Sequence, residues 1–127
     1  MRPTIEPGDW LLVDPIVRRW PRRGSLVVFR EPESDILAIK RVAATPGDVV
    51  RGVRVTDPDT AQDVDVTIRL VPGEAWLLGD DLAVSIDSRR YGPVPLERLV
   101  GRAWFRYAPL RRIGRLGRGA GPAPSGD

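Results

Sequence analysis

The chain predicts a mainly β protein. It reads as a compact antiparallel β-sheet or barrel-like domain over residues 1–108, with an Arg/Gly/Pro-rich C-terminal tail over residues 109–127 that composition assigns to disorder. Three observations carry this reading. Apolar runs such as Trp10-Leu11-Leu12-Val13 and Ala75-Trp76-Leu77-Leu78 are short and read as buried strands. Turn signals separate them at Pro7-Gly8-Asp9, Pro46-Gly47-Asp48 and Gly79-Asp80-Asp81. Beyond Pro109 glycine, arginine and proline dominate to the end of the 127 residues.

The elements follow in order. Pro3 and Pro7 forbid a regular helix at the start, and residues 10–13 read as a short buried strand. The loop from Pro15 to Gly24 carries Arg18, Arg19, Arg22 and Arg23 around Trp20, a mixture suited either to a membrane interface or to a local core anchor. Residues 25–30 and 36–43 form a hairpin around a turn at 31–35. Residues 51–71 read as a two-stranded ribbon with a loose tip at Asp57-Pro58-Asp59-Thr60. Residues 75–78 are a buried strand, 85–94 a polar loop, 96–99 one helical turn, and 100–107 the last strand, with Ala103, Phe105 and Tyr107 on one face and Arg102, Trp104 and Arg106 on the other.

Composition narrows the chemistry. There is no cysteine, hence no disulfide or thiolate nucleophile, and no histidine, the commonest general base and metal ligand. The net charge is +3. Arg98, Arg102, Arg106, Arg111, Arg112, Arg115 and Arg118 make the C-terminal part basic, which reads either as a surface for anionic lipid or nucleic acid or as a solvated tail. No run approaches the ~18 apolar residues of a membrane-spanning helix, and there is no signal peptide pattern, so the chain as given reads as soluble.

Acid–base work near neutral pH is left to a carboxylate, a tyrosine or Lys40, the single lysine among nineteen arginines. Arginine does not give up its proton in proteins, whereas a desolvated lysine does. Strand alternation puts Lys40 on one face with Ala38 and Val42, opposite Ile39 and Arg41. That placement makes it a candidate general base; the bland alternative is a surface lysine. A basic role needs a pKa lowered by about 3 units, roughly 4 kcal/mol of differential solvation. With no His or Cys, a serine activated by this lysine is the hydrolytic arrangement still open. In the loop Ser85-Ile86-Asp87-Ser88-Arg89, Ser85 is the candidate to orient the lysine nitrogen, and Asp87 with Arg89 is an ion pair holding the loop. The competing reading is a surface loop whose side chains cap local backbone. Asp80 and Asp81 are a poor metal pair, with no further ligand beside them; no metal or cofactor is expected.

Taken together, the motifs resemble the type I signal peptidase family. The segments that carry the resemblance are Met1-Arg2-Pro3-Thr4-Ile5-Glu6-Pro7-Gly8-Asp9, residues 24–29, Ile39-Lys40-Arg41-Val42 with Pro46-Gly47-Asp48, and Gly79-Asp80-Asp81 with Ser85-Ile86-Asp87-Ser88-Arg89 and Gly92-Pro93-Val94. The resemblance implies a membrane-associated serine endopeptidase with a Ser/Lys dyad on a mostly β fold. It implies Lys40 as general base, Ser85 as the hydroxyl that orients it, and Asp80, Asp87, Ser88 and Arg89 as structural support. Its partners would be precursor polypeptides with small residues at −1 and −3, bound as an extended strand beside the lysine strand, with a membrane surface as a second partner and no nucleic acid.

The sequence departs from the family pattern at its start. The motif runs Ser-Met-x-Pro-Thr, and this chain begins at the methionine, so the nucleophilic serine is expected just before Met1 and is absent. Two explanations follow: a gene start assigned to an internal methionine, or a catalytically inactive peptide-binding pseudopeptidase. An upstream anchor would make the protein membrane-associated with an extracytoplasmic catalytic domain. Ser25 stands where the family has Asp, and Asp81 where it has Asn. Short soluble proteases that remove a leader from a single maturing metalloenzyme are a further resemblance. Self-cleaving repressor domains rank behind both.

Overall fold

Short, mostly apolar runs bounded by turn residues become strands in the described residues, which are 1–15, 18–56, 59–108 and 114–116 of a computed structural model. In chain order the strands are β1 Trp10–Asp14, β2 Leu26–Arg30, β3 Leu37–Ala44, β4 Val49–Thr56, β5 Asp63–Arg69, β6 Glu74–Leu78, β7 Val94–Pro95, β8 Leu99–Ala108 and β9 Gly114–Arg115. The described helix is confined to one turn, α1, at Ser88–Tyr91 and a 3-10 turn at Leu96–Arg98.

All pairings are antiparallel. The main sheet runs β1-β8-β2-β3-β6-β7, with β9 also on β8, and β4 and β5 form a separate two-stranded ribbon. The β2–β3 hairpin is in regular register, with Val27 opposite Lys40 and Leu26 opposite Arg41. Strand alternation therefore sends Lys40 towards Val27 and Val42, and Arg41 to the other face.

Apolar side chains close both faces. On the Lys40 face, Val27, Phe29, Val42, Leu77 and Val94 pack with Trp20. A second cluster, including Val50, Val53, Leu70 and Trp76, fastens the ribbon to β3 and β6. Leu26, Ala103 and Leu116 form a third, and Met1, Ile5 and Leu11 pack against it.

Three expectations are refined here. The Trp10-Leu11-Leu12-Val13 run is a strand but not a buried one: Trp10 is 61% exposed, and Leu12 and Val13 are exposed as well. Among the described residues β1 ends the sheet path and pairs only with β8, so composition alone misjudged its burial. Trp20 is a core anchor, buried, with its indole N–H donating to the Gly73 carbonyl at 2.8 Å. Of the expected tail, residues 109–113 and 117–127 lie outside the described residues. Gly114 and Arg115 pair with Arg106 and Phe105 as β9, with Arg115 exposed, and Leu116 is buried. Arg111, Arg112 and Arg118 of the basic face, and the ribbon-tip residues 57–58, also lie outside the described residues. Arg98 and Arg106 are engaged internally, with Asp35 and Asp9.

Candidate active site

β3 and β6 diverge at the centre of the sheet. β6 pairs with β3 from Arg41 onward, through Leu78, Leu77 and Trp76. At residues 37–40 β3 is paired by β2 on one side, and among the described residues no strand occupies its other edge. Into this gap open Met1, Ile5, Ile39, Lys40, Val84 and Ser85, lining a cleft of about 650 Å³. Val84 and Ile86 give it an exposed apolar rim.

Lys40 is half-buried, and its Nζ donates to Ser85 Oγ at 2.9 Å. Burial among apolar neighbours pushes its pKa below the ordinary 10.5, and Arg89 adds to this, while Asp87 and Glu31 pull the other way. The result is an amine that gives up its proton more readily than a surface lysine. Tyr91 goes the opposite way: burial, then nearby carboxylates, raise its hydroxyl pKa well above 10.0 and keep it neutral.

The groups beneath the lysine are tightly bound. Asp87 is buried and caps α1, accepting from the Arg89 backbone N–H at 3.1 Å and from the Gly79 N–H at 3.0 Å. Its ion pair with Arg89 is 2.9 Å. Arg89 in turn donates to the Leu82 carbonyl at 2.8 Å, which ties down the loop that delivers Ser85. Ser88 is buried, its Oγ accepting from the Leu77 N–H at 2.9 Å. It therefore braces β6 and does not reach the cleft. On the other face of β3, Arg41 pairs with Asp80 at 2.7 Å, donates to the Gly24 carbonyl at 2.7 Å, and meets Thr4, whose hydroxyl also bonds Asp80. This network holds residues 1–5, the β2 start and the β6 end together.

The structure thus brings Lys40, Ser85, Asp87 and Arg89 into one assembly, with Ser88 below it and Asp80 behind. Asp81 lines the cleft separately. Among the described residues no group of His, Cys, Asp and Glu is placed to hold a metal ion. Three contributors were missed in the sequence: Arg41, Thr4 and Gly79. A Cβ at Gly79 would overlap the Ser85 side chain and come within 3.4 Å of Lys40 Nζ. Gly79→Ala is expected to keep the fold but displace Ser85, lowering kcat of the peptidase roughly 100-fold with a smaller change in KM, because a misplacement of about 1 Å is enough for that. Steady-state kinetics check it.

The acidic partners also set a pH dependence. Burial pushes both carboxyls up, but for Asp87 the bonds from Arg89 and Gly79, and for Asp80 those from Arg41 and Thr4, more than offset it; both end below 3.8. A depressed folded pKa gives stability that is present above 3.8 and is lost as the pH falls through the folded values. The urea midpoint is expected to drop as the pH falls from about 5 through 3.8 and on below it, and Asp87→Asn to flatten that drop. Urea titrations across this range read it directly.

An open β edge thus runs beside a half-buried lysine whose nitrogen meets a serine hydroxyl. The family model "Signal peptidase, peptidase S26" matches residues 1–59 and 52–108. The chain is 39% identical over 121 residues to a mitochondrial ATP-independent inner membrane protease subunit 1b of Arabidopsis thaliana, covering 92% of this chain and 70% of that protein. It is 35% identical over 147 residues to a signal peptidase I of Leptolyngbya laminosa, covering 98% and 70%. A crystal structure of a signal peptidase I from Enterococcus faecalis superposes with a TM-score of 0.52 at 19% identity, over 66% of this chain and 97% of that one, and supports the mainly β fold. The chain belongs to the signal peptidase family, peptidase S26. It is a signal peptidase-type serine protease whose substrates are precursor proteins. No helix among the described residues is long and apolar enough to cross a membrane.

Proposed function

We propose that residues 1–108 are the catalytic domain of a serine endopeptidase that removes leader peptides from exported precursors, cutting after small residues at −1 and −3. Lys40 is the general base and Ser85 orients its nitrogen. The nucleophile is a serine joined directly ahead of Met1. The observation that carries this reading is the half-buried Lys40, held at 2.9 Å by Ser85, in a cleft that Met1 also lines. A serine preceding Met1 would enter that cleft beside the amine. In the step assigned to Lys40, the neutral amine takes the serine hydroxyl proton as the oxygen attacks the scissile carbonyl, and the ammonium then protonates the leaving amine.

The unpaired edge at residues 37–40 supports binding of the precursor as an added strand, by main-chain hydrogen bonds that do not depend on its side chains. Small side chains at alternate positions then meet the cleft wall formed by Ile39, Val84 and Ile86. The protein works at a membrane surface, with the catalytic domain on the side to which precursors are exported; inner membrane proteases among its relatives support this placement.

The test uses the chain with serine joined ahead of Met1 and, in parallel, alanine at the same place. Each is incubated with a precursor bearing Ala at −1 and −3, and the products are read by mass spectrometry. Cleavage by the serine form alone, lost when −1 becomes Phe, is expected. Equal cleavage by both forms would remove the serine from the mechanism; binding without cleavage by the serine form would make this a peptide-binding protein.

A further inference from the structure

Away from the cleft, the β1–β2 loop makes a second built feature. Trp20 is buried under it and hydrogen-bonded to Gly73, which pins the loop. Arg18, Arg19, Arg22 and Arg23 are all exposed, and with Arg102 of β8 they line a cavity of about 850 Å³. Among the described residues none of these five arginines forms an ion pair. Elsewhere, Arg41, Arg54, Arg89, Arg90, Arg98 and Arg106 are paired with carboxylates, and the other described arginines without an ion pair, at positions 2, 30, 51, 69 and 115, do not line this cavity. Asp14 is the single acidic residue of the lining. Thr45, at the end of β3 away from residues 37–40, also lines the cavity, which places it at the opposite end of the β2–β3 hairpin from the open edge.

Five guanidinium groups around a concavity, held on a loop pinned by a buried tryptophan, repel one another unless an anion sits between them. Planar forked donors match phosphate oxygens two at a time. We propose that this cavity binds the phosphate headgroup of an anionic phospholipid, fixing how the domain sits on a membrane. Nucleic acid suits it less. Single-stranded RNA or DNA is held by stacking bases on exposed rings, and the one aromatic residue here, Trp20, is turned into the core. The proposal stands on the arginines and the cavity and is independent of the peptidase mechanism.

Flotation of the full chain on vesicles of phosphatidylcholine, with and without phosphatidylglycerol, tests it. Binding is expected only to the phosphatidylglycerol vesicles. Arg18, Arg19 and Arg22 replaced together by Gln should weaken it roughly 100-fold. The matched control replaces Arg51, Arg54 and Arg69 of the ribbon by Gln, removing the same charge elsewhere, and should bind within about threefold of the parent. A control as weak as the cavity variant would mean diffuse charge attraction and overturn the site. So would equal binding to both vesicle types, tighter binding of a short single-stranded RNA, or complete displacement from the vesicles by inorganic phosphate at constant ionic strength, which would assign the cavity to the free ion. A second measurement needs no variant. Titrating soluble short-chain phosphatidylglycerol into the parent protein should shift the Nε–Hε NMR signals of Arg22, Arg23 and Arg102 and leave those of Arg51 and Arg69 in place. Equal shifts at both sets overturn the proposal.

Discussion

Lys40→Ala, in a chain that carries serine ahead of Met1, is expected to lower kcat/KM for precursor cleavage roughly a thousandfold, within the range of lost general-base catalysis. Lys40→Arg is expected to be equally inactive. It keeps the positive charge and most of the length, but a guanidinium does not become a base. That pair of variants separates a base from a mere cation: an arginine variant within tenfold of the parent would exclude the proton-transfer role. The pH profile gives a second readout. Only neutral Lys40 accepts the serine proton, so kcat/KM rises with pH until the amine is fully deprotonated. Burial places that rise below 10.5, the ordinary value for lysine. Stability moves the same way. Because the folded pKa lies below the unfolded one, protonated Lys40 costs the native state most at low pH, and the cost is relieved as the pH climbs through the folded value towards 10.5. Ser85→Ala should leave the rise in place but lower the plateau, since the amine remains buried while its nitrogen loses its partner.

What the sequence disclosed and what it withheld divide along one physical line. Strand positions came from local pattern: β3 and β6 follow from β-branched or apolar runs between turn residues, and alternation was enough to put Lys40 and Arg41 on opposite faces. The single lysine among arginines was legible as chemistry because only one of those two residue types titrates. Burial of a strand was not local. The apolar run at 10–13 ended at the sheet margin, where its side chains meet water on one side, and no composition distinguishes that from a central strand. Long-range partnerships were hidden for the same reason. Arg41 and Asp80 lie 39 positions apart, and their meeting depends on the β3–β6 register. Lys40 and Ser85 lie 45 apart; side-chain chemistry made Ser85 a candidate partner among other readings of its loop, and the family resemblance pointed the same way. Gly79 looked like ordinary turn chemistry; its need for a bare Cα arises only once Ser85 arrives beside it.

Asp87→Ala should be the most damaging single change to the fold around the site, lowering stability by about 3–5 kcal/mol, as removal of one member of a buried ion pair does. The carboxylate is fully buried, and each oxygen serves two donors. Oδ1 accepts from the Arg89 backbone N–H and Nε, and Oδ2 from the Gly79 N–H and Arg89 Nη2. Alanine strands a guanidinium that is only 23% exposed and leaves a buried amide without an acceptor. Asp87→Asn keeps the shape and one acceptor oxygen, so its expected loss is smaller, about 1.5–3 kcal/mol from the missing charge-assisted bonds. The double variant Asp87→Leu with Arg89→Met removes both charges together and should recover part of the alanine loss. It cannot recover all of it, because the Gly79 N–H stays unpaired, a cost of about 1–3 kcal/mol. Urea denaturation of the four proteins yields the ordering parent, asparagine variant, double variant, alanine variant. An alanine variant within about 1 kcal/mol of the parent would mean that Asp87 is solvated in practice and that something else positions Gly79. Activity should follow the same geometry rather than the stability itself. Gly79 lies beneath Ser85, and Arg89 anchors the loop at Leu82, so the asparagine variant, still folded at neutral pH, should show a lower kcat while the pH at which Lys40 loses its proton moves down, because Asp87 is the largest of the influences that raise it.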